Sequence, residues 1–152
     1  MKKQFSSRAI QRASAIKPLP EWQMNFHLTK VNAGLQDLQL ADGVQIEGWE
    51  AVSDAINILA SLGELGLISD ASGEIDRAKN AMGEAGERYL RNGALRLSGP
   101  GVQTVRQLLE DYEEVVRGLT ERQFLQACRN AAKRIREIRR GHVSPGDKVV
   151  AL

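Results

Sequence analysis

Five stretches of the chain repeat apolar residues at three- and four-residue spacing, the period of helices with one buried face. The first runs from about Met24 to Ala41, with Leu28, Val31, Leu35 and Leu38 as its stripe and Asp42-Gly43 as its stop. The second, from Gly48 to Ser61 or Leu62, carries Trp49, Val52, Ile56 and Leu59, with Asn57 at the border of that face. Gly63 and Gly66 follow it, and Leu65, Leu67 and Ile68 form a short apolar linker expected to pack back onto the bundle. The third starts after Asp70-Ala71-Ser72-Gly73, where Asp70 and Ser72 are N-cap candidates. Its stripe is Ile75, Ala78, Met82, Ala85 and Tyr89, and it ends at Asn92-Gly93. Gly83 and Gly86 lie inside it at about 1 kcal/mol each relative to Ala, which predicts close approach of another helix.

The fourth and fifth stretches, Gly101–Leu119 and Thr120–Gly141, carry the clearest signals. The fourth repeats Val102, Val105, Leu109, Tyr112 and Val116 behind the helix-start turn Ser98-Gly99-Pro100-Gly101. In Thr120-Glu121-Arg122-Gln123 the hydroxyl and the amide fit a capping box. The fifth then places Phe124, Cys128, Ala131, Ile135 and Ile138 on one face. Two helices joined so tightly are expected to lie antiparallel. No segment has the length and turn signals of a strand. The pattern therefore predicts an all-α, single-domain bundle of about five helices with a C-terminal antiparallel helical hairpin. Residues 24–141 form the bundle domain, 1–23 a basic N-terminal arm and 142–152 a flexible C-terminal tail.

Charge changes this picture most in the last helix. Arg129, Lys133, Arg136 and Arg140 fall at i, i+4, i+7 and i+11, one continuous row; Arg122 extends it, and Arg134 and Arg139 flank it. Two readings stand. The row can share charges with Glu110, Asp111, Glu113 and Glu114 of the preceding helix, its last turn also suiting the helix dipole. Alternatively, Arg122, Arg129, Lys133, Arg136, Arg139 and Arg140 form a partner-binding surface for an acidic protein or for phosphates. The net charge is only +2. It divides into +4 over residues 1–23, −5 over 24–98 and +3 over 99–152. Basic ends around an acidic middle suit internal complementarity or a homodimer, for which Trp22, Leu40, Ile46 and Leu67 are candidate exposed apolar residues. They suit a nonspecific nucleic-acid binder less well.

Composition narrows the classes further. A chain of 152 residues can bury the core of one domain. No run of eighteen apolar residues marks a membrane span. The N-terminus has no apolar signal region, and the single cysteine, Cys128, fits a reducing compartment, so a cytoplasmic protein is expected. The Arg- and Ser-rich arm also has a transit-peptide or groove-inserting reading. Catalytic signatures are sparse. His27 and His142 are far apart, and one Cys with two His cannot furnish a tetrahedral zinc site. Neither GxxxxGK[ST] nor GxGxxG occurs. Cys128 sits on an apolar face and reads as an inert thiol. No enzyme activity, metal or cofactor is expected.

Several of these segments also carry a family likeness. They are a Trp49-led helix containing Ala55-Ile56-Asn57, a helix ending in Arg88…Gly93, and Leu97-Ser98-Gly99. The helix through Leu108-Leu109 and the Leu119-Thr120…Phe124…Ala127 start of the last helix complete the set. Over about residues 24–135 the chain resembles small all-helical accessory proteins encoded by proteobacterial phages and other mobile elements. The resemblance implies a non-enzymatic interaction protein binding a host or phage protein or a protein–nucleic-acid complex, acting as a regulator or inhibitor of a host system. Direct DNA or RNA binding through the basic row is the alternative.

Overall fold

The computed structural model describes residues 17–39, 46–70 and 72–141. Residues 1–16, 40–45 (with Leu40 and the Asp42-Gly43 stop), Ala71 and the tail from His142 onward lie outside the described residues, so the structure does not bear on the expectations placed on them. Five helices follow in order: α1 Glu21–Gln39, α2 Ile46–Glu64, α3 Glu74–Asn92, α4 Gly99–Arg117 and α5 Glu121–Arg139. Among the described residues there is no strand, only an isolated antiparallel bridge between Pro18 and Thr120. Buried side chains of all five helices join in one cluster, the all-α bundle that the periodicity predicts.

The bundle is organised around α2. Eleven of its nineteen residues are buried, from Gly48 to Leu62, and every other helix packs against it. Residues buried all round a helix mark an interior position. Trp49 anchors the contact with α3 through its indole, whose Nε1 donates to the Met82 carbonyl at 3.3 Å. The α1–α2 contact is closest at two glycines. A Cβ on Gly34 would come within 2.5 Å of the Gly48 carbonyl oxygen. Only two bare backbones can cross at that distance. Of the two α3 glycines at which close approach is also predicted, Gly83 has open space in its Cβ direction and Gly86 is buried.

The predicted antiparallel hairpin does not form a closely packed pair of α4 and α5. α4 packs chiefly on α3 and α5 on α2, and the two part company after the turn at Gly118-Leu119. His27 of α1 stands between them. Its ring stands edge-on to Tyr112 of α4 (5.7 Å between centroids) and to Phe124 of α5 (5.4 Å). The tight connection fixes where α5 starts, while the apolar surface of α2 decides where it lies.

Local signals mostly form as the sequence predicts. Ser98 Oγ accepts from Gly101 N at 3.1 Å to start α4, with Pro100 in the first turn. The α5 capping box closes both ways: Gln123 N donates to Thr120 Oγ1 at 3.2 Å, and Thr120 N to Gln123 Oε1 at 3.0 Å. Gly93 ends α3 in the left-handed region, φ 73°, its N–H donating to the Tyr89 carbonyl. The start of α3 differs: its N-cap is Gly73, φ 71°, with no side-chain cap, so neither Asp70 nor Ser72 takes that place, and Asp70 Oδ1 accepts from Ile75 N at 3.1 Å from outside it.

Several boundaries move. α1 starts at Glu21 because Pro18 and Pro20 confine only residues up to 20 to extended backbone. The arm is therefore tied down from Lys17: Leu19 is buried, Glu121 N donates to the Lys17 carbonyl at 2.8 Å, and the Lys17 ammonium pairs with Glu121 at 3.4 Å. α2 is longer than its stripe at both ends, because Gly63 is carried inside the helix and the turn comes at Gly66, φ 73°. Of the linker residues only Ile68 packs on the core; Leu67 is exposed. Leu95 and Leu97, in the extended segment before α4, are core residues outside any helical period.

Candidate functional site

α5 touches the core through a narrow face. Phe124, Ala127 and Ala131 are buried, whereas Cys128, Ile135 and Ile138, expected inside, are half-buried. Small residues at 127 and 131 let the helix sit close to α2, which leaves most of its circumference to solvent. Arg134 on one flank pairs with Glu64 at the end of α2 and ties the two helices together.

The opposite side is the basic row. Arg122, Arg129, Lys133, Arg136, Arg139 and Arg140 are all exposed. Arg122, Arg129, Arg136 and Arg140 have no side-chain hydrogen bond or ion pair with any described residue. Lys133 reaches Glu137 one turn on at 3.9 Å, an exposed pair of little weight. None of the α4 acids meets the row. Glu113 instead pairs with Arg117 of its own helix at 2.7 Å, and Glu110, Asp111 and Glu114 are exposed. This follows from the divergence of α4 and α5: acids one helix back in sequence are not beside the row in space.

Beside α5, between α1 and α2, runs a groove of about 720 Å³. Phe26 and Lys30 form its lip, His27, Phe124 and Cys128 part of its wall, and Asp37, Glu47, Glu50 and Asp54 its rim. Lys30 Nζ sits 4.5 Å above the Phe26 ring. Phe26 is 61% exposed, and Trp22, one turn earlier on the same side of α1, is 73% exposed. Trp22 and Leu67 are exposed as expected, but Ile46 packs on the core. Phe26 was not singled out from the sequence. Its signal was available: Trp22, Phe26 and Lys30 at i, i+4 and i+8 form a row opposite the Leu28–Val31–Leu35 stripe.

His27 Nε2 and the Tyr112 hydroxyl are hydrogen-bonded at 2.5 Å. Burial, and secondly the charge of Lys30, holds His27 below its ordinary value, so it is neutral at pH 7. Burial, with Cys128 and Asp54 nearby, pushes Tyr112 well up. Burial and then the Asp54 carboxylate raise the Cys128 thiol to about 11, which leaves it protonated and a poor nucleophile. Asp54 itself is pushed up by its setting in the groove and by Glu50. Among the described residues no group of three or more His, Cys, Asp or Glu side chains could hold a metal ion. No helix among them is long and apolar enough to cross a membrane. Comparison with protein families, with curated proteins and with solved structures returns no match.

Proposed function

We propose that this protein is a non-catalytic interaction protein, and that the exposed face of α5 is the surface it offers to an acidic protein partner. The observation that carries the reading is the state of the basic row: four arginines without a side-chain partner among the described residues, on a helix whose apolar contacts lie on its other side. Unpaired surface cations of one sign steer and orient an oppositely charged partner. A regulator or inhibitor of a host system, as the resemblance to mobile-element accessory proteins implies, would work through such a contact in a cytoplasmic setting. Direct nucleic-acid binding draws less support. The row is short, the same bundle carries an acidic groove rim, and among the described residues only Trp22 and Phe26 present largely exposed rings for bases to stack on.

The test is affinity capture from a nuclease-treated host lysate, with the wild-type chain beside Lys133→Glu/Arg136→Glu. The expected result is a protein captured by the wild type, retained after nuclease, released by salt and lost by the reversal. Equal capture by both proteins would overturn the reading. Loss of all capture on nuclease treatment would favour nucleic acid instead.

A further inference from the structure

Among the described residues two charged surfaces of opposite sign are left almost without ion pairs, and they match in more than charge. The rim of the α1–α2 groove carries Asp37, Glu47, Glu50 and Asp54, and no ion pair to any of them occurs among the described residues. Phe26 and Trp22 stand exposed along the same helix. A guanidinium group is satisfied by carboxylate oxygens at its edge and by an aromatic ring against its face. The rim offers the first and the exposed Trp22 ring the second, while one face of Phe26 is already covered by Lys30. The α5 row is predominantly guanidinium: Arg122, Arg129, Arg136 and Arg140 with Lys133.

Lengths agree as well. At 1.5 Å per residue, Arg122 to Arg140 spans about 27 Å of helix, and Trp22 to Asp37 about 22 Å. Within one molecule no side chain of the row pairs with a rim carboxylate among the described residues. Phe124 and Cys128 line the groove from the core side of α5, while the row projects from the opposite side. A second copy has no such restriction.

We infer that the α1–α2 groove receives the basic row of a second copy of this chain, so that acidic rim and guanidinium row satisfy one another between protomers. The inference rests on α5 being a binding surface and names the partner of that surface. Association of this kind is driven by exposed charges and is therefore weak, salt-sensitive and concentration-dependent.

The experiment is sedimentation of the full chain with two charge-reversal variants, Lys133→Glu/Arg136→Glu in the row and Glu50→Arg/Asp54→Arg at the rim. At about 100 µM protein in about 50 mM salt the wild type sediments as a dimer, and raising salt to about 500 mM returns it toward monomer. Each variant alone is monomeric. Mixed in equal amounts they associate again, because the reversed rim now faces the reversed row. That recovery also demonstrates that both variants are folded. A wild type that stays monomeric in low salt overturns the inference, whether the groove then takes a foreign cationic peptide or a segment of the same chain. A dimer indifferent to both reversals overturns it too. If the wild type is monomeric but the row reversal still abolishes capture of a host protein, α5 remains a binding surface and only the second copy is excluded. If the reversal changes neither association nor capture, both readings fall.

Discussion

Gly34 and Gly83 are both glycines inside helices, and the surroundings of their missing Cβ give them opposite roles. A methyl at Gly34 would meet the Gly48 carbonyl at 2.5 Å, so α1 and α2 would have to separate. Gly34→Ala is expected to destabilise the fold by about 2 kcal/mol despite the gain in helix propensity. Gly83→Ala meets nothing within 4 Å and should stabilise by about 0.5–1 kcal/mol. Denaturant titration of the two variants would read both signs. His27 gives a pH dependence. Its folded value lies below the unfolded one near 6.5, so the unfolded chain takes up the proton first as pH falls. The contribution is full above the unfolded value and is lost as pH drops through the folded one. Melts between about pH 7.5 and 5.5 should therefore fall for the wild type, and fall less for His27→Phe. Cys128, raised to about 11, should react with a disulfide reagent at pH 8 at least about 10-fold more slowly than a free thiol of ordinary pKa, and at the normal rate once unfolded.

At the scale of the element, the sequence already contained most of what forms a helix and little of what decides its neighbour. Capping residues act within one turn, so Ser98, the Thr120–Gln123 box and Gly93 were legible from spacing alone. The periodic faces of α3 and α4 were equally legible. The partner of α5 was not. Connection length suggested α4, but the competing surface of α2, buried on nearly all sides, outweighs a tight turn. Nothing in the periodicity of α5 names the helix that its apolar face meets. The groove was missed for a related reason, since it is built from α1, α2 and α5 together and only its aromatic lip has a one-dimensional pattern. Phe124 joins the two questions. It is buried, it meets His27, and it seats the first turns of α5. Phe124→Ala should cost about 3–4 kcal/mol, measured by chemical denaturation.

Across the whole molecule, the uneven charge of the chain becomes an uneven surface. The acidic middle of the sequence supplies the groove rim, and the basic C-terminal part supplies the outer side of α5. Among the described residues these surfaces do not pair with each other, because the core contacts of α5 hold its arginines outward. The central claim is that the row serves binding and contributes little to holding the bundle. Thermal unfolding of Lys133→Glu/Arg136→Glu beside the wild type tests this most directly, in dilute solution at about 0.5 M salt so that association does not contribute. Reversal at two exposed sites, with loss of the long Lys133–Glu137 pair, should cost about 1 kcal/mol and lower Tm by about 2–4 °C. A fall of more than about 10 °C under those conditions would contradict the account, for the row would then be bracing the fold.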